Sequence, residues 1–321
     1  MRTKIFVYGW YGKGNLGDEA FKDSFIHLWP EVEFTFSSVI PSDVNSKYHY
    51  FWVGGGSFLE QSIPNLEKVT LPIAFIGVGG CSCPADSTKA ALERARAIVF
   101  RNESALDHWN TPQSYAISDL VFARDFKPLN LPKKDQITIF LNDFITPKGK
   151  GAEWKALAYS WFLQEFSKIL DRFSTKYTVK LFPMCVNPRV DDRRVGSAIL
   201  GRSEFPHRYE WMLNAPSEQD LRVAISESKF VITQRFHGLV YSILEDTPCV
   251  TMTMHDKFAS LCRELDIPML DFYGMTDTRF KDVLEQVRYR KFVTPKIQQY
   301  MDVKKAKWIE MAKLVAKEFN L

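Results

Sequence analysis

Residues 3–28 read TKIFVYGWYGKGNLGDEAFKDSFIHL, and this stretch decides the fold class. Thr3–Tyr8 is a β-rich run, a turn built on Gly9, Gly12, Gly14 and Gly17 follows it, and Asp18–Leu28 reads as a helix. Strand, glycine turn and helix in succession make a βα unit, which predicts a mostly parallel sheet covered on both faces. The pattern continues with strand candidates at Tyr50–Val53, Ile73–Val78 and Ala97–Phe100, and a helix at Ala85–Ala97. It breaks at Phe126–Lys134 (FKPLNLPKK), where two prolines and a basic cluster mark a linker. It then restarts with strand Ile137–Leu141, helix Glu153–Phe173, strand Thr178–Phe182 and helix Gln219–Glu227. Strand Phe230–Thr233, helix Gly238–Leu244, strand Cys249–Met252, helix Lys257–Leu265 and an amphipathic, lysine-rich helix over Ile297–Phe319 complete the run.

Two restarts predict two doubly wound, Rossmann-like α/β domains, 1–128 and 129–321, facing a cleft, with the helix at 297–319 expected to return to the first domain. The 321 residues suit two cores of ordinary size. Apolar residues at 45% and charged residues at 25% exclude a disordered chain. A net charge of +4 suits small anionic ligands and is too weak to imply nucleic acid. No apolar run reaches the roughly 20 residues of a spanning helix. The N-terminus reads as a first strand and not as a secretory signal, so a cytoplasmic location is expected, with contact to a membrane surface left open. The five cysteines lack metal-ligand spacing; Cys81 and Cys83 stand too close for a zinc pair, and reduced thiols are the reading. His27, His49, His108 and His207 show no ligand spacing either, so neither metal nor cofactor is expected.

Candidate chemistry collects at strand ends. In Gly9–Glu19 the helix start favours an anion, yet Asp18 and Glu19 stand there themselves; Asn15 and Asp18 serve either as caps or as partners of sugar hydroxyls. Gly54-Gly55-Gly56-Ser57 and Gly77-Val78-Gly79-Gly80 both end strands, where glycine marks backbone that approaches a ligand or a neighbouring segment. Arg101 follows a strand and offers a fork to carboxylate or phosphate, or pairs with Glu103 or Asp107. Gln234-Arg235-Phe236-His237-Gly238-Leu239 sets a guanidinium and an imidazole two residues apart, on one side of an extended segment, at a helix start opening with Gly238. The bland alternative pairs Arg235 with Glu245 or Asp246. Lys257, after Met254-His255-Asp256, adds a point charge, while Asp191-Asp192 among arginines reads as a solvated face.

Together GWYGKGNLGDE (9–19), GGGSFLE (54–60), RNESALD (101–107), RFHGLVYSI (235–243) and HDKFASLCRELDI (255–267) resemble the polysaccharide pyruvyl transferase family, in the family's order. The resemblance implies a fold similar to GT-B glycosyltransferases, phosphoenolpyruvate as donor, and a saccharide or lipid-linked saccharide hydroxyl pair as acceptor. The product is then a cyclic ketal, with phosphate released. It casts His237 and Arg235 as the catalytic pair, with Arg101, Lys257 and Gly238 on the donor. Asn15, Asp18, Gly54, Gly55 and Gly56 fall to the acceptor side or the cleft floor, Asp18 as a candidate proton acceptor. Two departures stand out: the strand at 137–141 runs into Asn142 and Asp143 where relatives carry arginine, and Ser118-Asp119-Leu120 lacks a proline after the aspartate. A GT-B-like glycosyltransferase using a nucleotide sugar and a non-catalytic saccharide-binding protein are the rival readings.

Overall fold

The computed structural model describes residues 2–56, 62–79, 84–143, 152–253, 256–271, 277–288 and 292–321. The chain divides into two units, Met1–Asp125 with Gln299–Leu321, and Phe126–Gln298. The break lies at the proline-containing segment, three residues before the boundary expected from sequence.

The first unit runs β1 (Lys4–Tyr8), α1 (Leu16–Leu28), β2 (Glu33–Ser37), α2 (Val44–Lys47), β3 (Tyr50–Gly54), β4 (Ile73–Val78), α3 (Asp86–Glu93), β5 (Ala97–Phe100) and β6 (Ser114–Ala116). Its sheet has the order β2-β1-β3-β4-β5-β6, with every pair parallel. Strand order reverses between β1 and β3, and ligands of open α/β sheets bind outside the carboxyl ends at such a point. The Gly9 and Gly54 turns leave those two ends. One face of the sheet packs Phe6, Phe51, Phe75 and Phe100 together. The other stacks Phe25, Trp29 and Trp52 beneath α1.

The second unit runs β7 (Gln136–Phe140), α4 (Ala152–Phe173), β8 (Thr178–Leu181), a short hairpin of β9 (Val186–Asn187) and β10 (Val190–Asp191), α5 (Asp192–Leu200), β11 (Tyr209–Trp211), α6 (Glu218–Glu227), β12 (Phe230–Thr233), α7 (Phe236–Leu244), β13 (Cys249–Thr253), α8 (Asp256–Leu265), β14 (Met269–Asp271) and α9 (Asp277–Arg288). Its parallel sheet is ordered β11-β8-β7-β12-β13-β14 and reverses between β7 and β12. Strands β7 and β12 are buried along their whole length, the polar Gln136, Thr138 and Thr233 included.

The closing helix, α10 (Pro295–Phe319), returns to the first unit. Its apolar side is consumed there: Trp308, Val315 and Phe319 are buried, Trp29 Nε1 donates to the Ala312 carbonyl at 3.1 Å, and Phe319 meets Trp52 edge-on at 5.6 Å. No helix among the described residues is long and apolar enough to cross a membrane.

Candidate functional site

In the first unit the helix cap is Asn15, whose Oδ1 accepts from Gly17 N at 3.2 Å. The helix therefore begins at Leu16, two residues earlier than Asp18, and Glu19 turns back to accept from Gly12 N at 2.6 Å. Asp18 is buried instead of facing solvent. It shares its surroundings with Arg101 and Asp119: burial pulls the Arg101 pKa down, and Asp119, then Asp18, push it back up. Arg101 Nη1 lies 4.0 Å from Asp119 Oδ2 in a nearly sealed position. Neither Glu103 nor Asp107, the partners suggested by spacing, is the carboxylate against it. Asp119 also caps the following turn, accepting from Val121 N at 3.1 Å. A buried cation with two buried carboxylates is an internally compensated cluster. Its charge is spent largely inside the unit.

The glycine turn after β3 has a packing reason. A Cβ at Gly54 would stand 2.6 Å from Phe25, and one at Gly55, where φ is +70°, would stand 2.0 Å from Phe21. Helix α1 lies so close on the strand that no side chain fits. Gly56, also at positive φ, accepts through its carbonyl from Gly79 N at 2.7 Å, and Tyr11 Oη donates to the Gly54 carbonyl at 2.8 Å. Ser57 and Gly80 fall outside the described residues.

In the second unit the switch point holds a denser arrangement. Arg235 is the N-cap residue of α7, extended at φ −95° and ψ 125°, and helix begins at Phe236. His237 is thus already helical, and the two-residue spacing does not place it beside Arg235 as an extended segment would. Thr233 Oγ1 pins the turn, accepting from Arg235 N at 2.9 Å and donating to its carbonyl at 2.8 Å. Gly238 is needed because a Cβ there would stand 2.3 Å from that same hydroxyl. His237 is half-buried in the first turn, its ring edge-on to Phe236 at 5.6 Å.

The Arg235 guanidinium does not pair with Glu245 or Asp246. Glu245 holds Arg222 Nε at 2.6 Å, and Asp246 accepts from Val293 N at 2.9 Å. Its partner is Asp192, read from sequence as part of a solvated face. Arg235 Nε donates to Asp192 Oδ2 at 2.9 Å and Nη2 donates to Oδ1, a bidentate pair. The Asp192 side chain is 1% exposed and that of Arg235 15%. Asp192 accepts further from Asp143 N at 3.2 Å, Met184 N at 3.0 Å and Cys185 N at 2.9 Å. One carboxylate therefore ties together the segments leaving β7, β8 and β12. Burial pulls the Arg235 pKa down, but the charge and hydrogen bonds of Asp192 more than offset it. Burial pushes Asp192 up against the pull of Arg235 and the two N–H groups of Cys185 and Met184. Nε and Nη2 are thus engaged by Asp192, and Nη1 lies outside this bidentate pair.

Around this pair, Asp143 accepts from Asp191 N at 3.1 Å and from Arg194 Nη1 at 3.1 Å. Asp191 caps α5, and its hydrogen bond to Arg193 holds its carboxyl below the usual carboxylate range. Gln234 Oε1 accepts from Asn142 N at 3.1 Å, while its buried Nε2 has no hydrogen-bond partner among the described residues. A small cavity lined by Asp192, Val195, Gly196 and Trp211 has a volume of about 10 Å³, barely room for one water and none for a substrate. Lys257 lies on α8, but its side chain, like all of His255, falls outside the described residues. No group of three or more potential ligand side chains that could hold a metal occurs among the described residues.

Two parallel six-stranded sheets with functional groups at their switch points define a two-unit α/β protein with the GT-B type of fold. Solved structures agree at the level of fold. A sucrose-phosphate synthase from Thermosynechococcus elongatus matches with a TM-score of 0.64 at 13% identity, covering 99% of this chain and 100% of its own. The UDP-GlcNAc 2-epimerase of Methanocaldococcus jannaschii, in complex with UDP-GlcNAc and UDP, matches at 0.60 and 8% identity, covering 99% and 100%. A putative UDP-N-acetylglucosamine 2-epimerase from Listeria monocytogenes matches at 0.59 and 10%, covering 100% and 97%. No curated protein matches the chain in sequence. The sequence model of the polysaccharide pyruvyl transferases matches residues 7–256, most of the chain, and the chain belongs to that family.

Proposed function

We propose that this protein transfers a pyruvyl group from phosphoenolpyruvate to two hydroxyls of a saccharide, forming a cyclic ketal and releasing phosphate. The observation that carries the reading is the Arg235 fork, locked by Asp192 at the head of α7 with His237 in the first helical turn, at the switch point of the second sheet.

Phosphoenolpyruvate presents a carboxylate and a phosphate on one small skeleton. Arg235 Nη1 is the proposed donor to such a dianion, with the positive end of the α7 dipole adding to it. Lys257, on α8 of the same unit, is a further cation proposed for the donor. Asn15 and Asp18 of the first-unit turn are proposed as partners of saccharide hydroxyls. His237 gives its proton to the methylene carbon, and the first saccharide hydroxyl bonds to the resulting cationic C2. The bond from C2 to the phosphate oxygen then breaks, and the second hydroxyl closes the ketal on C2. Of the two hydroxyl protons released, one restores His237 and the other leaves with phosphate. Asp18 is the candidate acceptor for a hydroxyl proton.

The test is phosphate release from phosphoenolpyruvate across galactose-, mannose- and N-acetylmannosamine-containing acceptors, with ketal formation read by mass. Release that depends on an acceptor supports the reading. Silence with phosphoenolpyruvate, together with turnover of a nucleotide sugar, replaces it with glycosyl transfer.

A further inference from the structure

Helix α4 breaks the rule that a surface helix turns a polar face outward. Tyr159, Phe162, Leu163 and Phe166 fill the core of the second unit. On the opposite side Trp154, Leu157 and Trp161 are 77%, 62% and 53% exposed. Their spacing of three and four residues places them on a single stripe. Arg202 lies beside that stripe, donating to Ser160 Oγ at 3.3 Å and to the Ala198 carbonyl at 3.0 Å, and it pairs with no carboxylate among the described residues. Residues 152–202 carry 9 Lys and Arg against 5 Asp and Glu. Four of those cations are paired with carboxylates, Lys168 with Glu165, Lys180 with Glu210, Arg193 with Asp191 and Arg194 with Asp143, whereas Arg202 is not among the described residues. Arg202, held against Ser160, therefore sets a positive charge beside the apolar stripe.

We infer that Trp154, Leu157 and Trp161, with Arg202 beside them, seat this protein on the headgroup layer of an anionic membrane. Indoles favour the boundary between hydrocarbon and water, and neighbouring cations add attraction to anionic lipid. A second copy of the chain fits less well. At about 200 Å² for each side chain, Trp154, Leu157 and Trp161 together present roughly 380 Å², about half of the ~800 Å² each partner of a stable dimer buries. The stripe lies on the helix whose Tyr159 donates to the Asn142 carbonyl at 2.7 Å, at the same sheet edge as Arg235. Seating on a bilayer brings that edge to the membrane. The acceptor class is then a membrane-held saccharide, a consequence that rests on the transfer reading, whereas the docking itself does not.

The experiment is co-sedimentation of the full chain with vesicles of equal parts phosphatidylglycerol and phosphatidylcholine, and with phosphatidylcholine alone. The wild type sediments with the anionic vesicles, Trp154→Ser with Trp161→Ser lowers the partition about tenfold or more, and Arg202→Ser weakens it and flattens its salt dependence. Brominated lipid quenches the wild-type indole fluorescence, a readout that needs no variant. Absence of vesicle binding, binding unchanged in the double variant, or a wild-type dimer that the double variant dissociates each overturns the inference. Turnover with a soluble acceptor stays unchanged in the double variant, so failure of docking and failure of the transfer reading are seen in separate assays.

Discussion

Replacing Asp192 by asparagine tests the centre of the second unit. In the wild type Oδ2 accepts from Arg235 Nε, Met184 N and Cys185 N, while Oδ1 accepts from Arg235 Nη2 and Asp143 N. A carboxamide has one acceptor oxygen, so two of these five bonds are lost and an NH₂ faces other donors. The Arg235 charge is also left buried without a counterion. Removing one partner of a buried pair costs about 3–5 kcal/mol, a large part of the 5–15 kcal/mol that holds a typical domain. Guanidinium unfolding is therefore expected to show a loss in that range, with turnover falling because the Arg235 fork is no longer fixed. Arg235→Met should cost less, because three N–H groups still compensate the carboxylate. Asp192→Asn with Arg235→Met removes both charges and keeps an acceptor oxygen for the N–H groups of Met184 and Cys185, so it should be more stable than Asp192→Asn alone while leaving the protein inactive. An Asp192→Asn loss under about 1 kcal/mol, or a double variant no more stable than Asp192→Asn, refutes the reasoning.

His237→Gln leaves no group to move the proton to carbon; phosphate release should fall by about 10²–10⁴-fold with stability nearly unchanged, as steady-state kinetics and a thermal melt will show. Gly55→Ala meets Phe21 at a backbone angle alanine resists, so the melting temperature should fall in the absence of any ligand; an unchanged melt with weakened acceptor binding would return that glycine to a ligand role. Burial pushes the Cys262 thiol from 9.0 up to about 11. The stability this contributes is complete below the unfolded value and is lost as pH rises through the folded one. Urea midpoints should therefore decline between about pH 9 and 11 less steeply in Cys262→Ala than in the wild type.

The doubly wound pattern is legible because buried parallel strands leave short runs dominated by apolar and β-branched residues: β1, β3, β4, β5, β7, β12 and β13 are all readable within a residue or two. What escaped were β2, with partial exposure along most of its length, and the two- and three-residue strands β6, β9, β10, β11 and β14, too short to show a period. The glycine turns were placed at the right strand ends, but their reason at Gly54, Gly55 and Gly238 is steric contact with Phe25, Phe21 and Thr233, which spacing cannot reveal. Asp192 was the main miss. Its arginine-rich neighbourhood reads as surface, and its partner lies 43 residues along the chain. The one local signal was Asp191-Asp192 ahead of an apolar periodicity, the mark of a capped helix start. That signal fixes α5, and with it the carboxylate facing Arg235.

The most direct measurement is a calorimetric titration of the full chain with phosphoenolpyruvate, repeated with Arg235→Met and with His237→Gln. The account predicts binding to the wild type, near-normal binding to His237→Gln despite its lost turnover, and loss of binding with Arg235→Met. Wild-type protein that ignores phosphoenolpyruvate, or an Arg235→Met variant that binds it as tightly as wild type, contradicts the account.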